Sequence, residues 1–127
     1  AKPLETYLGD INLFAVYENE EIISNINPDY SAVTKLEGQG LIISSSSNQY
    51  DFVSRYFCPK FGINEDPVTG SAHTTLIPYW SEKLSKDYLT AKQVSKRSGE
   101  LFCHNKNNRV LIGGKAVLYM KGLIEIS

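Results

Sequence analysis

The chain concentrates its chemistry in nine positions, Glu65-Asp66-Pro67-Val68-Thr69-Gly70-Ser71-Ala72-His73. They combine two carboxylates, a rigid Asp-Pro step, two hydroxyls, a glycine and an imidazole. An apolar segment at helical spacing follows directly: Ala72, Leu76, Tyr79, Trp80 and Leu84. The pattern reads as an extended loop that turns at Gly70 and enters a helix whose first backbone N–H groups have no partner. Those amides carry partial positive charge, so a helix start with Ser71 beside it suits a substrate carboxylate. Asp66, one turn upstream, is then placed to exchange protons with that substrate, and Pro67 biases its backbone to an extended form that fixes where the side chain points. The same residue types also describe a capping loop. Thr69 and Ser71 are good N-cap residues, worth about 1 kcal/mol to a helix without any ligand, and Asp-Pro is a common turn. Residue types alone leave both readings open.

The elements that must position this loop are mostly strands. Residues 11–17 and 21–24 bracket Glu18-Asn19-Glu20 and read as a hairpin. Asn27-Pro28-Asp29 opens a short helix through Ala32, Val33 and Leu36, closed by Gly38. Residues 41–45 form a short apolar strand. Residues 50–58 alternate Phe52, Ser54 and Tyr56 against Asp51, Val53, Arg55 and Phe57, as a strand used on both faces does. The helix expected over residues 71–84 is apolar on most sides and therefore central, although Pro78 inside it removes a hydrogen bond and predicts a kink or a break. Residues 89–95, 100–103, 109–112 and 116–126 are further strand candidates, with a polar hairpin loop at 105–108, a tight turn at Gly113-Gly114 and a bend at Gly122. Together they predict an α+β fold in one domain over residues 1–127: a strongly bent mixed sheet or barrel of about eight strands wrapped around the central helix.

Composition excludes several classes of function. A net charge of −1 and a pI near 6.1, with no basic stripe, argue against nucleic acid. No apolar run approaches the roughly 20 residues a membrane span needs, and no signal peptide is expected at Ala1. The two cysteines, Cys58 and Cys103, are too few for a disulfide framework and read as reduced, structural thiols of a cytoplasmic protein. With His73 and His104 they lack metal-ligand spacing, so no metal is expected.

The nine-residue stretch is preceded by Tyr50-Asp51-Phe52-Val53-Ser54-Arg55-Tyr56-Phe57-Cys58-Pro59 and Phe61-Gly62-Ile63. It is followed by Pro78-Tyr79-Trp80, then Gln93-Val94-Ser95-Lys96-Arg97-Ser98-Gly99-Glu100-Leu101, then Arg109-Val110-Leu111-Ile112-Gly113-Gly114. Taken together, these motifs resemble the phenazine-biosynthesis PhzF-like family, whose members share the diaminopimelate epimerase fold. The likeness runs over essentially the whole chain. Ser98 stands where the family's Gln-x-Ser-x-Arg-Gly-Gly has its first glycine. His73 and Pro-Tyr-Trp align the chain with the MAWD-binding-protein-like branch.

The resemblance implies a protein about twice this length, built as two similar halves with the active site in the cleft between them. This chain resembles the second half; it lacks the first half's glycine-asparagine-proline region and its glutamate. Carried over residue by residue, Asp66 is the catalytic acid/base facing that glutamate, Ser71 contacts substrate, and Gly70 lets the backbone approach it. His73 is either a hydrogen-bonded core residue or a second substrate contact. Glu65 is a structural partner of the loop, and Tyr50, Asp51 and Arg55 are candidates for the cleft rim. The implied reaction is an epimerisation or proton-shift isomerisation of a small carboxylate-bearing molecule, with no cofactor. The implied partners are the substrate and the N-terminal half, and a homodimer is one way to cover the apolar face of an isolated half. The alternative is a non-catalytic protein-binding role, since that branch includes proteins named for a protein partner.

Overall fold

Alternation along the strands decides how the layers form. The computed structural model describes Ala1–Ser127 and contains one mixed sheet of eight strands. They are β1 (Glu5–Leu8), β2 (Leu13–Val16), β3 (Leu41–Ser46), β4 (Phe52–Phe57), β5 (Glu65–Asp66), β6 (Tyr88–Gln93), β7 (Gly99–Asn105) and β8 (Val110–Gly113). Helices α1 (Glu20–Asn25), α2 (Tyr30–Thr34) and α3 (His73–Leu84) accompany them. The strand order is β1-β2-β3-β4-β6-β7-β8, with β2–β3 and β4–β6 parallel and β5 paired to β4. In β4, Phe52 and Tyr56 join Ile42, Leu76, Ile77 and Trp80 in one buried cluster. Val53 and Phe57 point the other way and join Ile23, Val33 and Ile43. Burying one such side chain contributes roughly 1.5–3 kcal/mol, so this alternation commits the strand to a core on each face. Helix α3 covers one face, and α1 and α2 cover the other.

Trp80 anchors the α3 side. Its ring stacks on Phe52 with centroids 5.8 Å apart and meets Tyr79 edge-on at 5.1 Å. The indole N–H donates to Ser44 Oγ at 2.9 Å, and Ser44 donates to the Val53 carbonyl at 2.6 Å, so the polar edge of the indole is satisfied inside the core. The sheet curls around α3, because both ends of its strand order reach the helix. The Glu5 carboxylate of β1 accepts from Tyr79 Oη at 2.9 Å and Lys83 Nζ at 2.7 Å. At the far end Asn105 Nδ2 of β7 donates to Ser81 Oγ at 3.0 Å, and Val110 of β8 packs on the core that holds Leu76 and Trp80. This is the eight-stranded α+β arrangement expected from the sequence, except that α3 is not enclosed on all sides: it buries one face and exposes the other.

Three local expectations are corrected. Residues 20–25 form helix α1, not the second arm of a hairpin: Asn19 Oδ1 accepts from the Ile22 amide at 3.0 Å, with Glu20 and Glu21 in the first turn, a capped helix start that mimics a polar turn. The partner of β2 is β1 instead, in register Glu5↔Val16. Helix α3 runs unbroken through Pro78, which lies with Thr74, Thr75, Glu82 and Lys83 on an exposed side. The Thr74 carbonyl, which Pro78 cannot pair, belongs to an exposed residue and can be solvated, so the missing bond is tolerated. Residues 116–126 are not a strand. The pattern is apolar, but nothing lies beside it to pair with, and Val117, Leu118, Tyr119, Met120, Leu123, Ile124 and Ile126 are 78–98% exposed. No helix is long and apolar enough to cross a membrane.

Candidate active site

The edge of β4 is shared, and that places the site. Its first half pairs with β6, in register Ser54↔Gln93, and its second half with β5, in register Tyr56↔Asp66. Paired residues project to the same face, and Ser54 and Tyr56 both face α3. The side chains of Gln93 and Asp66 therefore converge at the start of the helix.

Every residue from Glu65 to Thr69 is held from outside the loop. Glu65 makes a bidentate pair with Arg55, at 2.7 and 2.9 Å. The Asp66 carbonyl accepts from Gln93 Nε2 at 2.8 Å, and the Pro67 carbonyl from Ser95 Oγ at 2.6 Å. Val68 packs where Gly99 has no side chain: a Cβ there would sit 2.5 Å from Val68 Cγ2. The Thr69 amide donates to Gln93 Oε1 at 2.7 Å, and its carbonyl lies 2.7 Å from His73 Nδ1. Beyond Thr69 the pattern inverts. The amides of Gly70, Ser71 and Ala72 donate to nothing within the chain, because the first bonds of the turn are His73 N–H to Gly70 O and Thr74 N–H to Ser71 O. Ser71 does not cap α3; Ala72 occupies the cap position, without a side-chain bond.

An open cavity of about 650 Å³ lies beside this loop, and its lining includes Asp66, Ser71, Tyr56, Cys58, Asn12 and Thr75. Asp66 Oδ2 accepts from Thr69 Oγ1 at 2.5 Å, and its other oxygen has no hydrogen bond in the chain. Tyr56 Oη donates to Asn12 Oδ1 at 2.9 Å, leaving the Asn12 amide nitrogen free. Burial, reinforced by the neighbouring Asp66 carboxylate, pushes the Cys58 thiol up, so it stays protonated at neutral pH. A carboxylate with a free oxygen beside three unpaired amides and a free hydroxyl can bind an anionic group and move a proton next to it.

Of the residues singled out in the sequence, Asp66 and Ser71 line the cavity and Gly70 is exposed beside it. A Cβ on Gly70 would meet nothing within 4 Å, so packing within the chain does not require the glycine. His73 is fully buried beneath the loop and does not line the cavity; burial lowers its pKa, and the carbonyl of Thr69 makes Nδ1 its protonated nitrogen. Arg55 and Glu65 pair away from the cavity, where Arg55 Nη1 also donates to the Ile23 and Ile26 carbonyls of α1. Tyr50 and Asp51 bond Glu100 and Lys86 instead of rimming the cleft. Sequence reasoning did not single out Asn12, Tyr56, Cys58 and Thr75 on the wall, or Gln93 and Thr69 as its supports. The alternation that puts Tyr56 on the helix face was the available signal. Ser98 adopts φ +54°, where a glycine is relaxed and a serine is strained by roughly 1 kcal/mol.

Comparison with known proteins identifies the family. The profile of the PhzC-PhzF family, phenazine biosynthesis-like proteins, matches residues 3–122. An uncharacterized isomerase of Pseudomonas aeruginosa is 45% identical over 98% of this chain and 48% of its own length. A phenazine biosynthesis-like domain-containing protein of Mus musculus is 53% identical over 59% of this chain and 26% of its own. Among solved structures, a PhzF-family protein of Enterococcus faecalis superposes with a TM-score of 0.89 at 52% identity, over 95% of this chain and 46% of that one. A PhzC/PhzF protein of Clostridium difficile gives 0.88 at 44%, over 99% and 49%. The chain thus spans about half the length of the full-length relatives it matches, and it belongs to the phenazine biosynthesis-like PhzC-PhzF family.

Proposed function

We propose that this chain supplies one wall of the active site of an isomerase or epimerase that transfers a proton on a small carboxylate-bearing substrate. The observation that carries the reading is the Asp66 carboxylate, clamped with one oxygen free, beside the unpaired amides of Gly70–Ala72 and the free hydroxyl of Ser71. The amides and Ser71 hold the substrate's anionic group, and the charge that builds up on it once a proton has left. Asp66 takes or returns the proton on one face of the reacting carbon. A second acid/base, supplied by the N-terminal half of the complete protein, works on the opposite face. Chemistry of this kind needs no cofactor. The relative from P. aeruginosa that carries the name isomerase supports the reaction class. The two buried free thiols suit a reducing compartment such as the cytoplasm. A second reading, a protein-binding role, is favoured by the exposed apolar residues 117–126.

The test is substrate-agnostic. The complete protein is incubated in heavy water with the small-carboxylate fraction of a cell extract, and mass spectrometry finds any compound that gains one mass unit. Asp66→Asn keeps shape and hydrogen bonding but cannot take up a proton, so incorporation falls by about 10²–10⁴-fold. Ser71→Ala instead raises the substrate concentration needed. Wild-type incorporation in Asp66→Asn overturns the assignment of the acid/base; no incorporation by the wild-type protein in any extract favours the binding role.

A further inference from the structure

Gln93 is fully buried, yet no part of the proton-transfer chemistry needs it. Its amide is saturated by the active-site loop. The Thr69 amide is a donor and must face Oε1, at 2.7 Å; the Asp66 carbonyl is an acceptor and must face Nε2, at 2.8 Å. The orientation of the amide is therefore fixed by the backbone on both sides. The second Nε2 hydrogen points at Thr69 Oγ1, 3.0 Å away. Because Thr69 Oγ1 accepts from Gln93, its own proton is left for Asp66 Oδ2 at 2.5 Å.

We propose that Gln93 and Thr69 are positioning residues for Asp66: the buried amide sets the direction of the Thr69 hydroxyl, and the hydroxyl holds one carboxylate oxygen so that the other stays turned to the cavity. The consequence for turnover rests on the proposed role of Asp66; the geometry does not. The arrangement is directional. Fixing a reacting group matters because a displacement of about 1 Å can lower a rate by about 10²-fold. Gln93 reaches this place only because β6 ends on the β4 edge where β5 begins.

The test measures the side-chain rotamer of Asp66 directly, through three-bond couplings to its Cγ in the labelled chain. Wild type shows one χ1 rotamer. Thr69→Val, close to isosteric, and Gln93→Met, apolar and of similar length, both give couplings averaged over rotamers, whereas Thr69→Ser restores the wild-type value because it keeps the hydroxyl. Melting temperature is followed in parallel, and a general loss of stability does not generate rescue by Thr69→Ser. A single Asp66 rotamer in folded Thr69→Val or folded Gln93→Met overturns the proposal, as does averaging in Thr69→Ser. In the complete protein, Thr69→Val lowers the deuterium incorporation rate by about 10²-fold with little change in the concentration required. If incorporation survives Asp66→Asn, the proposed acid/base role of Asp66 fails while the rotamer result still decides this inference.

Discussion

His73 illustrates how a residue can serve this site without touching the cavity. Its Nδ1–H donates to the Thr69 carbonyl at 2.7 Å, while Nε2 is buried with no partner in the chain. The ring stands against Phe52 at 5.9 Å. An imidazolium here would bury a second N–H without an acceptor, so the folded state keeps the ring neutral and its pKa lies below the ordinary 6.5. Between that lowered value and 6.5 the unfolded chain binds a proton that the folded chain does not. Stability contributed by the neutral ring is therefore complete above 6.5 and declines as pH falls through that window. Urea unfolding from about pH 7.5 to about pH 5.5 tests this. Wild type loses stability across the range, and His73→Asn, whose amide can still donate to Thr69, shows a flatter profile. Equal slopes in the two proteins exclude His73 as the source. A hydrogen-bonded core histidine was one of the two readings open in the sequence, but the contact that decides between them was not legible. It depends on β4 passing beneath the first turn of α3, a contact between residues far apart in the chain.

At the scale of elements, the same distinction separates what could be read from what could not. Strand β4 was legible because its alternation serves a core on each face, and the loop ahead of α3 was legible because Pro67, Gly70 and Ser71 carry local backbone signals. Helix α1 was not, since its cap and acidic first turn look like a polar turn, and much of its anchoring comes from Arg55, thirty residues on. That guanidinium joins three elements. It donates to the Ile23 and Ile26 carbonyls at the end of α1, lies over Phe57 at 4.8 Å, and pairs with Glu65 of β5 through two bonds. Both partners are largely buried, with side-chain exposures of 12% and 17%. Arg55→Met leaves a carboxylate and two helix-end carbonyls without donors, so it destabilises the fold by about 3 kcal/mol. Glu65→Gln removes the charge but keeps an acceptor, and loses less. Denaturant midpoints rank the variants, and a larger loss for Glu65→Gln contradicts the tie to α1.

The whole molecule has a well-buried core at one end of the chain's path and none at the other. Through Gly113 each strand finds a neighbour, and α3 is gripped by both ends of the curled sheet. Residues 116–126 carry the apolar pattern of a strand without the neighbour that would make it one, so seven large apolar side chains stand in water. Burying each contributes roughly 1.5–3 kcal/mol, a strong drive toward any surface offering apolar contacts and an open strand edge. In a protein of the length of its relatives, the other half is the expected partner of this segment; for the chain by itself, the available surface is a second copy. The chain is therefore expected to self-associate at micromolar concentration, and a version ending at Lys115 to do so less, because β8 and the core are complete before that point. Sedimentation velocity across a concentration series distinguishes the two. Circular dichroism should show that the shortened chain keeps its fold, and addition of the complementary half from a full-length relative should suppress association of the longer chain only. Identical association of both versions would place the sticky surface elsewhere, on the exposed faces of Tyr88, Phe102 and Leu111 on the outer side of β6, β7 and β8.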